Sequence, residues 1–181
     1  MKIARQLKDQ NVCEYLLYMW QIEDTIRAMG CDVDRLRTEY VAAFKLPAEE
    51  EKAEVEWFEN LIRMMHEEGH IERGHLQINQ STLALLVDLH QQLLQSSKQP
   101  FYSAAYYKAL PFIIELRARS EKEQQVGELE TCFNCMYGVM LLRLQKREIG
   151  KETLAAVSSI SHLLALLANA YKKEKQGKLE L

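Results

Sequence analysis

The chain has 181 residues, of which 48% are apolar and 27% charged, as in a globular protein of one-domain size. Its 7 glycines and 3 prolines are too few for a turn-rich β fold, and the net charge of -3 argues against non-specific nucleic-acid binding. The N-terminal residues contain no apolar run, so we expect no signal peptide and a cytoplasmic setting, with the four cysteines as reduced thiols.

The first half of the chain shows apolar residues at steps of three and four, which predicts helices. Asn11 begins a capping-box pattern and predicts the start of the first helix, which Gly30 ends. A second helix is predicted after Asp32. It ends near Leu46, because a residue that precedes proline, here Pro47, is disfavoured in the helical conformation.

Three further helices follow the same period. The third runs from Pro47 to Gly69, where glycine is a typical C-terminal stop. The fourth begins at Asn79 or Ser81, either of which can cap it. The fifth begins at Pro100 and contains Pro111, which removes a backbone donor and predicts a kink one turn earlier.

The C-terminal third contains the most polar and the most apolar segments of the chain. Residues 117–128 are predicted to form a polar connection or a frayed helix end, and a sixth helix covers 129–144. The segment 154–171 carries no Asp, Glu, Lys or Arg, and its apolar residues fall on every side of a helical projection. Such a helix is typically buried, so we predict that it is the central one.

These patterns predict an all-α fold: a single-domain antiparallel bundle of about seven helices over residues 1–172, with the C-terminal helix (154–171) central. The charged residues 173–181 are expected to form a flexible tail.

The segment His66-Glu67-Glu68-Gly69-His70 matches the HExxH pattern of zinc hydrolases. His66 and His70 would be ligands, Glu67 would activate water, and His75 could supply a third ligand. The pattern requires an unbroken helix through both histidines, and Gly69 predicts that the helix stops inside it. We therefore keep a metal-dependent hydrolase only as the alternative hypothesis, and expect no cofactor.

Other chemically active side chains are interpreted as packing residues. Cys132 and Cys135 form a CxxC inside an apolar helix, without the second ligand pair or the strand that metal and redox sites require. His90 lies on the apolar stripe of the fourth helix and His162 in the central helix. Each is predicted to be a core histidine with one hydrogen-bonded partner.

Aromatic residues cluster in the first and fifth helices. Core packing is one explanation, and a groove or subunit interface is the other, since Tyr and Trp are enriched at binding surfaces. Tyr106 and Tyr107 are adjacent, so one of them should face outward. The candidate interface residues are Tyr15, Tyr18, Trp20, Tyr102, Tyr106 and Tyr107.

Taken whole, the chain resembles an uncharacterised family of small, all-helical proteins from Bacteroidetes-type bacteria. The resemblance rests on the opening ARQLKDQNVCEYLLYMWQIEDTIRA and on EEGHIERGHLQIN, and covers nearly the full length. It implies a bacterial cytoplasmic setting and transfers no catalytic residue.

The function predicted from the sequence is a non-enzymatic bundle that binds a protein partner or itself as a homodimer, with no nucleic acid and no membrane. The alternative is the metal-dependent hydrolase at residues 66–70. A bundle with an internal small-molecule pocket is a third class, which Pro111 could favour by bending its helix.

Overall fold

The computed structural model describes residues 2–119 and 126–181. Within these ranges all regular secondary structure is helical, which confirms the predicted all-α class. The α-helices are α1 (Lys2–Gln10), α2 (Val12–Ala28), α3 (Val33–Arg35), α4 (Ala48–Glu67), α5 (Gln77–Gln95), α6 (Pro100–Arg119), α7 (Glu128–Leu144) and α8 (Lys151–Lys175).

The helices divide into two compact units. Unit 1 comprises residues 1–9 and 14–82, and unit 2 comprises 10–13 and 83–181. The division passes through α5, after Thr82, and through the start of α2, after Cys13. The antiparallel arrangement, the single domain and the central position of the last helix stay predictions.

Unit 1 begins with a helix that the periodicity did not reveal. The sequence predicted a first helix at Asn11, whereas α1 precedes it. The reason is that α1 is short, and only Ile3, Ala4 and Leu7 mark its apolar side, of which Ala4 alone is fully buried. The predicted start at Asn11 is confirmed for α2, because the Asn11 side chain accepts the backbone N–H of Cys13 at 3.1 Å.

The predicted second helix is irregular. α3 lasts three residues and continues as a π-helical turn, Leu36–Tyr40, and then a 3-10 turn, Val41–Phe44. The segment ends before Pro47, as predicted. Leu36 and Val41 enter the core of unit 1 beside side chains of α2 and α4. The core residues that these two helices contribute are Tyr15, Met19, Ile22, Ile26, Phe58, Leu61, Ile62 and Met65.

Unit 2 is organised around α6, α7 and α8, which pack against one another. Each helix turns apolar side chains inward, and α5 contributes a leucine stripe. The N-terminal segment of unit 2 is tied to α8, because the Cys13 thiol lies 3.5 Å from the Leu164 carbonyl. The largest buried side chains of this unit include Leu86, Leu89, Leu93, Tyr102, Ile113, Phe133, Ile160, Leu163 and Leu167.

Helix α8 is longer than predicted and is not buried all round. Nine of its residues are buried, but Ser158, Ser161, Ala165 and Asn169 lie along one exposed side. His162 lies on that side and is exposed, so its predicted place in the core is wrong. The residues on this side are small or polar, and exposing them costs little apolar burial.

The ends of the polar connection are helical. α6 extends to Arg119 and α7 begins at Glu128, whereas the middle of the predicted connection lies outside the described residues. The predicted tail begins within α8, which continues to Lys175. Beyond the helix, the Glu180 carbonyl accepts a hydrogen bond from the Gln99 side chain at 2.7 Å. Flexibility of the tail stays a prediction.

Helix α4 ends as its glycine predicts. Its last residue is Glu67, and Gly69 takes the left-handed conformation with φ of 72°. The Gly69 N–H donates to the His66 carbonyl at 3.2 Å, and the His70 N–H donates to the Met65 carbonyl at 2.8 Å. These two bonds form a Schellman motif, which satisfies carbonyls that the helix end would leave open.

We predict opposite effects of alanine at two glycines. A Cβ at Gly69 would meet no atom within 4 Å, so Gly69→Ala should lower the free energy of unfolding by about 1 kcal/mol through backbone strain alone. Gly138 lies inside α7 without positive φ, and a Cβ there would also meet no atom within 4 Å. Gly138→Ala should therefore raise the free energy of unfolding by about 0.5–1 kcal/mol. Urea unfolding measures both, and a neutral or stabilising Gly69→Ala would contradict the left-handed helix end.

Candidate functional site

The HExxH histidines are separated by the end of α4. His66 is in the last turn of the helix, whereas His70 lies beyond Gly69 in the following loop. The predicted interruption of the motif is therefore confirmed. Within residues 2–119 and 126–181, no group of three or more His, Cys, Asp or Glu side chains is placed to hold a metal ion.

His75 is directed to a buried carboxylate rather than to His66 or His70. Its Nδ1 lies 2.6 Å from Oε2 of Glu23, a residue of α2 with no exposed surface. Glu23 Oε1 accepts the Leu76 N–H at 2.9 Å and the Asn79 amide at 2.7 Å. A buried carboxylate requires such partners, and three donors around one side chain supply them.

The same loop is fixed to α2 by two other side chains. The imidazole of His75 stacks on Trp20, with ring centroids 4.2 Å apart and planes at 12°. The Arg27 guanidinium donates to the carbonyls of His70 and Gly74. Three residues of α2, spaced by three and four positions, thus hold the loop 70–76. We call the set of interacting side chains the loop anchor. Its members are Trp20, Glu23, Arg27, His75 and Asn79.

The loop anchor also begins α5. Leu76 precedes the helix, and its carbonyl accepts from the N–H groups of Asn79 and Gln80. Glu23 binds the Leu76 N–H, and Glu68 Oε2 accepts the Gln77 N–H at 2.6 Å. Two carboxylates therefore satisfy N–H groups at the positive end of α5. These hydrogen bonds therefore fix the loop 70–76 and stabilise the first turn of α5.

Glu23 is a functional residue that the sequence marks but that apolar periodicity does not identify. Glu23 lies within the apolar stripe of α2, between Met19 and Ile26, where a charge is costly unless it is paired. Its partners are 52 to 56 residues away in the chain, so periodicity alone could not identify them.

A second polar cluster lies in unit 2. His90 is 7% exposed, and its Nδ1 lies 2.6 Å from the buried Tyr102 hydroxyl, which confirms the predicted core histidine with one hydrogen-bonded partner. The Tyr106 ring packs 5.2 Å from the imidazole, and its hydroxyl donates to Glu128 at 2.7 Å. Burial lowers the pKa of His90, and the charge of Glu128 opposes this shift.

Burial and the hydrogen bond to Glu128 also raise the pKa of Tyr106 to about 12, so this phenol stays protonated at neutral pH. The nearby CxxC has free thiols. Cys132 is fully buried, and burial followed by Cys135 and Glu128 raises the pKa of its thiol to about 12. A thiol with such a pKa is a poor nucleophile, in agreement with a packing role.

The six candidate interface residues have different environments. In unit 1, Tyr15 and Trp20 are buried, and Tyr18 is partly buried. In unit 2, Tyr102 is buried and Tyr106 partly so, whereas 66% of Tyr107 is exposed. The structure therefore brings Tyr102 and Tyr106 together around His90, and places Tyr107 at the surface.

Tyr107 belongs to an apolar strip along α6. Phe101 is 82% exposed and Ile114 is 57% exposed, and the other residues on this side, apart from Tyr107, are alanine or proline. We call this strip the α6 face. Its members are Phe101, Ala104, Tyr107, Pro111, Ile114 and Ala118, all exposed.

An apolar pocket of about 570 Å³ lies in unit 1. It is lined by side chains of α1, α2 and α4 and of the irregular segment 36–46. We call it the Tyr40 pocket. Its apolar walls are formed by Ile3, Tyr18, Tyr40, Phe44, Leu46 and Ala53.

Helix α8 is long and apolar enough to cross a membrane by length and composition. Core helices of soluble proteins pass the same test, and 44% of its most apolar window is buried in the protein.

The chain matches the model of one protein family, described as a domain of unknown function (DUF4924), over residues 1–178. It belongs to the DUF4924 family. Comparison with curated proteins and with solved structures gives no significant match. The resemblance inferred from the opening segment and from EEGHIERGHLQIN is thus confirmed at the level of the family, and the Bacteroidetes origin stays an expectation.

We predict that the loop anchor is a major source of stability in this DUF4924 protein. Glu23→Leu would leave the Leu76 N–H and the Asn79 amide without their acceptor, and should lower the free energy of unfolding by about 3 kcal/mol. Glu39→Leu is the control, since Glu39 is half exposed and pairs with Arg35 at the surface, and should cost less than about 1 kcal/mol. Equal costs in urea unfolding would contradict the anchor.

We predict that His90 makes stability depend on pH. The folded-state pKa lies below the ordinary value of 6.5, so the unfolded chain binds this proton first, and stability should fall as pH drops below 6.5. Urea unfolding at pH 7.5 and 5.5 should show a smaller loss for His90→Gln than for the wild type. His162→Gln, at an exposed position, is the matched control, and an equal loss in both variants would refute the assignment.

Proposed function

We propose that this protein is a non-enzymatic, bacterial cytoplasmic bundle that binds a second copy of itself through the α6 face. The observation that carries the proposal is the exposed apolar strip on α6, which contains side chains as large as Phe101, Tyr107 and Ile114. Exposed strips of this kind mark interaction sites, because a soluble surface otherwise scatters its apolar residues singly.

The spacing of the α6 face suits a helix partner. Ala104, Tyr107, Pro111, Ile114 and Ala118 alternate steps of three and four, which is the seven-residue repeat of coiled-coil seams. A helix laid along this strip would cover every member at once. The strip therefore favours a helical occupant over an extended peptide.

Charge favours a second copy in the antiparallel direction. Lys108 and Glu115 are exposed beside the strip and are seven residues apart, in opposite halves of α6. A two-fold axis near the middle of the helix would bring Lys108 of each copy to Glu115 of the other. An isologous contact of this kind forms two identical ion pairs.

The exposed area is compatible with a dimer contact. Phe101, Tyr107 and Ile114 together expose roughly 400 Å² of side chain, taking about 200 Å² for a large apolar side chain. A stable interface buries about 800 Å² on each partner, so the small members and flanking side chains must supply the rest.

The proposal requires neither nucleic acid nor a membrane. The net charge of -3 disfavours nucleic-acid binding, and the nine buried residues of α8 favour a place for this helix in the protein core rather than in a membrane. The hydrolase alternative receives no support from the geometry, since α4 ends inside the motif and His75 is held by Glu23.

We predict that Ile114→Glu abolishes self-association. A carboxylate in the middle of the contact would be desolvated in both copies, and sedimentation equilibrium should show at least about a 100-fold weaker dimer. Leu85→Glu is the matched control, because Leu85 is 54% exposed on α5 and Ile114 is 57% exposed, and it should leave the dimer intact.

Charge reversal tests the direction of the pair. Lys108→Glu should weaken the dimer, and Lys108→Glu combined with Glu115→Lys should restore it. A wild-type protein that remains monomeric at several hundred micromolar would overturn the proposal, as would a dimer unaffected by Ile114→Glu.

A further inference from the structure

The Tyr40 pocket is independent of the α6 face and belongs wholly to unit 1. Its volume of about 570 Å³ lies within the range of sites for small molecules, which are mostly apolar with a few polar groups. Aromatic and aliphatic side chains supply most of its wall area, and two phenol hydroxyls and six charged or amide side chains supply the polar groups.

The backbone around the pocket departs from regular α-helix where it supplies the aromatic wall. Tyr40 is the last residue of the π-helical turn, and Phe44 is the last residue of the 3-10 turn. Lys45 follows with φ of 49°, a left-handed conformation that is uncommon outside glycine. Lys45 ends the 3-10 turn in this conformation, and single π turns are frequent at functional sites, so the π turn that supplies Tyr40 agrees with a ligand site.

The phenols of Tyr18 and Tyr40 supply hydrogen-bond donors. Burial, and then the charge of Glu54, raises the pKa of Tyr40, and burial followed by Tyr40 and Glu54 raises that of Tyr18. Both hydroxyls therefore keep their protons at neutral pH. Across residues 2–119 and 126–181 neither hydroxyl has a hydrogen-bond partner, so each can donate to an acceptor on a bound molecule.

The charges at the pocket select against an ionic ligand. Two basic side chains, Lys2 and Arg5, face three acidic ones, Asp9, Glu50 and Glu54, and Lys2 pairs with Glu50 at 3.7 Å. Glu54 lies close enough to the phenols to raise their pKa, and the same field would repel an anion there. A cation would have to leave water for walls that are mainly apolar.

We propose that the Tyr40 pocket binds an uncharged, largely apolar small molecule that carries a hydrogen-bond acceptor, such as an alcohol or ketone. The apolar body packs between Ile3, Phe44 and Leu46, and the acceptor receives a hydrogen bond from Tyr18 or Tyr40. This site goes beyond self-association through α6 and does not depend on it.

Nile red tests the pocket, because this uncharged aromatic dye carries a carbonyl acceptor and fluoresces in apolar surroundings. We expect one dye per chain. Ala53→Trp fills the pocket from α4 and should abolish binding, whereas Ala84→Trp adds the same indole at an exposed position of α5 and should not. Ile114→Glu should also retain binding, which separates the pocket from the α6 face.

Two further arms test the chemistry. Tyr18→Phe combined with Tyr40→Phe removes only the hydroxyls and should weaken the dye several-fold. Dodecanol should displace the dye at a concentration at least tenfold lower than dodecanoate or dodecylammonium, which carry the same chain with opposite charges. Circular dichroism verifies that each variant is folded. Dye binding that survives Ala53→Trp, or displacement by either ion as readily as by the alcohol, would overturn the proposal.

Discussion

The buried carboxylate of Glu23 is the interaction on which unit 1 depends. It lies in the apolar stripe of α2 with no exposed surface, and His75, Leu76 and Asn79 bind it from the loop after α4 and from the first turn of α5. A carboxylate in such surroundings would be strongly destabilising without them. The loop and the start of α5 are therefore specified by α2, tens of residues earlier in the chain.

This constraint changes how the polar segment 66–75 is understood. By sequence it resembles a zinc motif, yet each histidine has a different environment. His66 is at the end of α4, His70 follows the left-handed Gly69, and His75 is stacked on Trp20 and bound to Glu23. The residues that would make a catalytic cluster are instead distributed along a helix end and a loop.

Local signals were predictable from the sequence, and long-range partners were not. Gly69 ended α4 because its φ requirement is a property of one residue, and Asn11 capped α2 for a similar reason. His90 was placed correctly because its stripe was apolar. His162 was misplaced because the projection of α8 did not distinguish a buried side from one of small residues.

The α6 face and the Tyr40 pocket show the same difference between local features, which the sequence predicts, and long-range arrangement, which it does not. Because Tyr106 and Tyr107 are adjacent, the sequence predicted that one ring faces outward, and Tyr107 is exposed. Only the structure shows that Tyr107 belongs to the longer apolar strip of the α6 face. The Tyr40 pocket depends on a π turn followed by a 3-10 turn, where periodicity predicted one ordinary helix. Departures from regular geometry leave little trace in a hydrophobic pattern, because the same residues remain inward.

The loop anchor is tested most directly by native-state hydrogen exchange at the Leu76 amide. If Glu23 holds this N–H in the core, the amide should exchange as slowly as that of Ile26 in the middle of α2, and only through global unfolding. Exchange near the rate of an unstructured peptide, with Ile26 still protected, would contradict the account.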